Sequence, residues 1–203
     1  MNPARYTAAA WRAEAPAMLR SAIDQSLALG ALLLFPGNVY NFGAGMPAVL
    51  DAHTPQRPST PLGQVRVALE QQLAQAVATQ GLRAVIVRAG DFFGAGQGTW
   101  LDLVIARKLR QGVMTWPGPL DVPHAWAYLP DLAQAFVRVA AAPAPAPGQL
   151  PCLPFAGHTT AGHDWQTVLS DWAQEQGWLR GGALRVQSLP WGWMRLATPV
   201  VPM

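Results

Sequence analysis

The chain has 203 residues, of which 51% are hydrophobic and 12% charged, with a formal net charge of +3. That apolar content excludes a disordered polymer, and the length suits one sizeable domain, or most of one with an appendage. The positive charge is thinly spread; its one cluster, Arg107, Lys108 and Arg110, is too small for a nucleic-acid-binding face and suits the solvated end of a helix.

At the start, Arg12 and Glu14 stand where a secretion signal would carry its apolar core. No apolar run in the chain approaches the ~20 residues of a membrane span, so a cytoplasmic, enzyme-like protein without membrane or nucleic-acid partners is expected. Ala8 to Leu29 reads as a helix with Trp11, Met18, Leu19, Ile23 and Leu27 apolar and Gly30 as terminator; Pro16 is expected to end or kink its first part. Ala31–Phe35 is a short buried strand. The loop after it holds Pro47, Pro55, Pro58 and Pro61, which bar helix and central strand alike. Gly63 then opens a second helix, with Val65, Leu69, Leu73 and Val77 at helical spacing. Leu82–Ala89, bounded by Gly81 and by Gly90-Asp91, is a second strand and completes a βαβ unit. A strand that delivers its C-terminal end to a long loop and then a helix is how an open α/β sheet builds a ligand crevice, so the site is expected between Leu32 and Glu70.

Further on, a glycine-rich stretch leads to a helix from about Trp100 to Arg110, and Val113–Trp116 is a strand stopped by Pro117-Gly118-Pro119. Pro130 to Ala142 suits a helix with proline in its first turn. Ala140–Pro147 is a stiff Pro/Ala linker and the best boundary. Beyond it, Gln149–Phe155 is extended, Asp164–Gln176 helical with Asp164 as its cap, and Pro190–Leu196 short and Trp-rich. Cys152, the single cysteine, excludes an internal disulfide and a multi-cysteine zinc site; its apolar context suits a small core residue.

Three stretches carry a resemblance. L-L-L-F-P-G-N-V-Y followed by P-L-G-Q-V-R-V-A-L-E, then V-I-V-R-A-G-D-F-F-G, then W-A-Y-L-P-D-L-A-Q-A, are similar to the extended short-chain dehydrogenase/reductases, the NAD-dependent epimerase/dehydratase family. In that family a strand ends S-x-x-V-Y-G and the next helix carries Y-G-x-x-K-x-x-x-E. Val39, Tyr40, Gly63 and Glu70 match, whereas the Ser, Tyr and Lys positions fall on Pro36, Leu62 and Arg66. The resemblance implies an α/β fold: a partial Rossmann-type parallel sheet with flanking helices over residues 1–142, and a small C-terminal substrate-binding lobe over 143–203. The family's opening strand–G-x-x-G-x-x-G–helix unit has no counterpart before Gly30, and V-V-P-M reads as an unfinished end, so the chain resembles a truncated member. NAD or NADP is the implied cofactor, faced by Pro36, Gly37, Asn38, Arg66, Arg88, Ala89 and Gly90. A sugar-like or carbonyl/hydroxyl small molecule is the implied substrate, and a homodimer is compatible with the reading.

The family's tyrosinate, with its pKa lowered by lysine, has no equivalent here: Lys108 is the only lysine, Leu62 is inert, and the Arg66 guanidinium does not give up its proton. Candidates for acid–base work are therefore Tyr40, Asp91 and His124, with Asp91, His124 and Tyr128 lining the substrate pocket. Each has a plainer alternative. Asp91 suits a loop cap, His124 a packing residue, Tyr40 a place in the sheet edge, and Asp131 is the acidic first turn of its helix. G-A-G-M-P-A from Gly43 runs into proline and is a loop, while G-A-G-Q-G-T from Gly94 suits a substrate-side loop or an anion contact. His158 and His163 lack the convergent ligands of a metal site, and the nine tryptophans suit core and lid packing. A non-catalytic dinucleotide sensor or scaffold, and a non-functional fragment with an exposed sheet edge, are the rival readings.

Overall fold

The computed structural model describes residues 8–94 and 96–189; Pro190–Leu196 and the two chain ends lie outside them. The class is α/β. In chain order the elements are α1 (Ala8–Leu29), β1 (Leu32–Gly37), α2 (Pro61–Gln80), β2 (Arg83–Arg88), β3 (Asp91–Phe93), β4 (Val113–Trp116), β5 (His124–Tyr128), α3 (Leu129–Ala141), β6 (Cys152–Pro154), β7 (His158–Thr160), α4 (Gly162–Glu175) and β8 (Arg185–Ser188). The described residues divide into two compact units, one of residues 8–88 and 134–155, the other of residues 89–133 and 156–189. The Pro/Ala run Ala140–Pro147 lies inside the first.

The first unit is built on a parallel sheet of order β1-β2-β6, with Leu32 opposite Arg83 and Ile86 opposite Cys152. β2 is buried from Ala84 onward, as a central strand of a parallel sheet should be. The core joins Trp11, Ala15, Leu19 and Ile23 of α1, spaced four apart, to Val65, Leu69, Leu73 and Val77 of α2 and to Phe35, Ala84 and Ile86 of the sheet. α1 does not end at Pro16 but continues through it to Leu29. A proline inside a helix costs about 3 kcal/mol, and the buried Ala15 and Leu19 on either side supply apolar burial of the same order. α2 begins earlier than Gly63: Thr60 caps it by accepting the Gly63 N–H at 3.1 Å, and Pro61 occupies the first turn.

The second unit holds a sheet of order β3-β5-β7 and a parallel pair β4-β8 around Ile105, Leu109, Met114, Trp116, Trp126 and Leu169. The helix expected from Trp100 to Arg110 is instead a π turn at Leu101–Ile105 and a 3-10 turn at Leu109–Gln111. A segment this short is a marginal helix by itself, and it is fixed by burying Ile105 and Leu109 and by the left-handed Gly112 that ends it. Arg110 lies over the Trp178 ring at 4.8 Å and Lys108 donates to Gln187 at 3.3 Å, so the basic cluster is partly engaged within the unit. Asp164 sits at the third position of α4, not at its cap, and its carboxylate accepts the Ala161 N–H at 2.7 Å.

Gly63 yields a test of packing against propensity. In an exposed helix Gly→Ala stabilises by about 1 kcal/mol. Here the added Cβ would lie 2.4 Å from the Tyr40 carbonyl oxygen, a backbone atom that cannot swing away. Gly63→Ala is therefore expected to lower the unfolding free energy by about 1–3 kcal/mol, read from the urea midpoint; a rise would refute the contact.

Candidate functional site

In the first unit the C-terminal end of β1 is held by two buried arginines. Arg66, from α2, donates to the Pro36 carbonyl and lies over the rings of Phe35 (5.1 Å) and Trp11 (5.8 Å). Arg88, the last residue of β2, donates to the Asn38 carbonyl at 2.5 Å and to Glu70 at 2.7 Å, with its guanidinium over Phe42 at 5.1 Å. Burial pulls the Arg88 pKa down, but the bonded and opposite charge of Glu70 outweighs it and holds the pKa above its ordinary value. The polar chain continues outward: Gln56 donates to Glu70 at 2.7 Å, and the wholly buried Asn41 donates to Gln56 at 3.1 Å. Gly37 is buried in the sheet while Pro36 is exposed.

Tyr40 lies in a 3-10 turn, Tyr40–Phe42, past the strand and not in the sheet edge; its N–H donates to the Asn38 side chain at 3.0 Å. Leu62 is half-buried and packs on the core of α1 and α2. Cys152 is only half-buried, and with Phe42, Glu70, Ile86, Arg88 and Leu150 it lines a cleft of about 320 Å³.

The second unit brings together the other candidates. Strands alternate their side chains, and Asp91 is in register with Trp126, Phe93 with Tyr128, and Trp126 with His158. Asp91 and Phe93 of β3, His124, Trp126 and Tyr128 of β5, and His158 of β7 thus share one sheet face. On it His124 Nε2 meets Asp91 Oδ2 at 2.9 Å, with the two side chains 43% and 28% exposed. An ionised carboxylate only accepts, so a neutral imidazole in that pair carries its hydrogen on Nε2 and has Nδ1 as its lone-pair nitrogen. Trp126 stands edge-on to His124 at 5.1 Å and to Trp165 of α4 at 5.1 Å. Phe93 contacts Tyr128, His158 and Trp165 at 5.3–5.6 Å. Gly90 permits this arrangement, since a Cβ there would fall 2.1 Å from the Ala125 carbonyl oxygen.

Trp126, Trp165 and Phe93 were not among the sequence candidates, and His158 was weighed only as a metal ligand; the period-two alternation of H-A-W-A-Y was the signal for the first. In the glycine-rich loop, the N–H groups of Gly98 and Thr99 are taken by the Asp102 carboxylate at 2.6 and 2.8 Å. Partial burial raises the Asp102 pKa, but these bonds and the Thr99 hydroxyl outweigh it and leave it lowered. Among the described residues no cluster of three or more His, Cys, Asp or Glu could hold a metal, and no helix is long and apolar enough to cross a membrane.

Two tests follow from this geometry. The Arg88–Glu70 pair is buried on both sides, so Glu70→Ala should cost about 3–5 kcal/mol by stranding a charge, while Glu70→Leu with Arg88→Met should recover most of that loss in chemical denaturation. Asp102, with its pKa lowered in the fold, stabilises above the unfolded carboxylate range and loses that contribution as pH falls through its folded pKa. Asp102→Asn is expected to flatten that part of a melting-temperature profile recorded toward acid.

A sequence profile of the NAD dependent epimerase/dehydratase family matches residues 13–150, more than half of the chain. No protein of curated function matches it by sequence. Among solved structures, a GalE-like L-threonine dehydrogenase from Cupriavidus necator in its holo form aligns with a TM-score of 0.68 at 18% identity, covering 85% of this chain and 56% of that one. A dTDP-glucose 4,6-dehydratase from Streptomyces venezuelae with NAD bound aligns at 0.64 and 16%, covering 91% and 59%. A UDP-glucose 4-epimerase from Brucella ovis in complex with NAD aligns at 0.61 and 20%, covering 84% and 56%. The chain spans little more than half the length of these relatives. With the profile match and the same α/β fold in hand, the chain belongs to the NAD-dependent epimerase/dehydratase family.

Proposed function

We propose that this chain is an atypical NAD(P)-dependent member of its family that acts on a sugar-like or carbonyl/hydroxyl small molecule, with His124 and Asp91 doing acid–base work. The observation that carries the reading is the 2.9 Å pair between His124 Nε2 and Asp91 Oδ2, on a sheet face that also presents Tyr128. In this reading Asp91 orients the imidazole and His124 Nδ1 accepts or returns the proton of a substrate hydroxyl. Tyr128, 37% exposed beside Phe93, offers a ring wall and a hydroxyl to the substrate. Tyr40 remains a candidate proton donor of the first unit.

NAD or NADP would supply hydride acceptance and return. The end of β1 fits one edge of such a cofactor: Pro36 is exposed, Gly37 has no side chain, and the Asn38 carbonyl is fixed from behind by Arg88. Arg66, where the family carries lysine, acts by holding the Pro36 carbonyl. Arg88 belongs to the same edge, through the Asn38 carbonyl that it holds.

The second reading is a dinucleotide sensor or scaffold that retains binding without turnover. It is favoured by Leu62, a core-packed hydrocarbon at the family's tyrosine position. Calorimetric titration with NAD(H) and NADP(H), followed by turnover assays on hydroxyl and carbonyl substrates, separates the two. For the enzyme, His124→Gln and Asp91→Asn are expected to lower kcat by about 10²–10⁴-fold with dinucleotide affinity nearly unchanged. Dinucleotide binding with no turnover on any substrate supports the sensor, and full activity in both variants ends the dyad proposal.

A further inference from the structure

The described cations of the second unit are Arg107, Lys108, Arg110, Arg180 and Arg185, and the fold gathers them around Gly112. The first three sit in the turns ahead of that glycine, Arg180 follows α4, and Arg185 opens β8. Pairing of β4 with β8 joins the two groups: Val113 is in register with Arg185, whose N–H donates to the Gly112 carbonyl at 3.0 Å. Arg185 and Gln187 are two apart on the strand, so their side chains leave one face. Lys108 Nζ reaches that face by donating to Gln187 Oε1 at 3.3 Å. Arg110 lies over the Trp178 ring at 4.8 Å, and Leu179 Cδ1 would stand 3.6 Å from a Cβ on Gly112. The ion pairs among the described residues are Arg88–Glu70 and Asp91–His124, so no carboxylate pairs with any of the five cations. The acids nearest in sequence are Asp102, which is bonded to Gly98 and Thr99, and Glu175 at the end of α4. All four arginines of the group are exposed.

Like charges without partners raise a local positive potential that attracts anions. We propose that this end of the second unit binds a segment of single-stranded nucleic acid, with phosphates on the five cations and a base on Trp172. Arginine suits the first role, since its planar fork meets a phosphate with two parallel N–H bonds. A guanidinium stacked on a ring, as Arg110 is, keeps its edge for such bonds. Trp172 suits the second role: it is 42% exposed and stands edge-on to Trp178 at 4.9 Å. Cations beside an exposed aromatic ring are the combination that takes single strands. A duplex fits less well, because its major groove admits a helix or a two-stranded ribbon, and here β4 is buried throughout. An acidic peptide would meet the charges but leave Trp172 without a planar partner. The cluster of three cations in the sequence is too small for this face; the fold adds Arg180 and Arg185. The face uses neither Asp91 nor His124 and does not depend on their acid–base role.

The experiment is a fluorescence-anisotropy titration of the folded chain against a labelled oligothymidylate of about ten nucleotides, repeated over a salt series. Five phosphate contacts predict a slope of log K against log salt of about −3.5. Arg180→Gln combined with Arg185→Gln changes two exposed residues, so the melting temperature should hold while the slope falls to about −2. Trp172→Leu should weaken binding about 5-fold or more and leave the slope in place; if that variant melts early, the arginine pair carries the test. Lys108 is the chain's only lysine, and its acetylation, read by mass spectrometry, should slow about 10-fold at saturating oligonucleotide. A duplex of the same length and an oligoglutamate are the competitors, each expected to bind at least about 10-fold more weakly than the single strand. Equal or tighter binding of either competitor, no binding of the strand, an unchanged slope in the folded arginine variant, or an unprotected Lys108 overturns the proposal.

Discussion

The first unit depends on the buried ion pair between Arg88 and Glu70. Arg88 ends β2, Glu70 lies in α2, and the Asn38 carbonyl that Arg88 also holds belongs to the loop after β1. One guanidinium thereby fixes strand, helix and loop relative to one another. Gln56 and Asn41 extend the chain of bonds from Glu70 into the proline-rich loop. Such a pair need not stabilise more than well-packed hydrocarbon of the same volume. What it adds is direction. A hydrophobic contact would tolerate a slide of the loop that a 2.7 Å charged hydrogen bond does not.

On that scaffold Leu62 and Arg66 serve packing and anchoring. Leu62 joins the core, and Arg66 spans the aromatic faces of Trp11 and Phe35 to reach a backbone carbonyl. A guanidinium stacked on rings keeps its charge and gains cation–π attraction without giving up a proton. The Asp91–His124 pair lies instead on the short β3-β5-β7 sheet.

Much of the first unit was legible in the sequence because its signals are long and periodic. Val65, Leu69, Leu73 and Val77 repeat over about three and a half turns, and all are buried. Pro16 does not end α1, because local propensity counts the lost hydrogen bond but not the burial of Ala15 and Leu19. The second unit was harder to read for a simple reason: its strands are three to five residues long, too short for alternation to stand out from chance. Asp91 and His124 could each be named from the chain, but their 2.9 Å contact joins residues 33 apart in sequence and depends on β3 and β5 lying in register. No local pattern encodes that pairing.

Pro36 suits its place in β1. Among the described residues β1 pairs on one side only, with β2, and an apolar strand with a free edge is a template for unwanted pairing. Proline lacks the N–H such pairing needs and is tolerated in sheets chiefly at edges. It stands at the exposed fifth position of β1, where it offers no backbone N–H to a pairing strand. Any other residue there would add a backbone donor to an apolar strand.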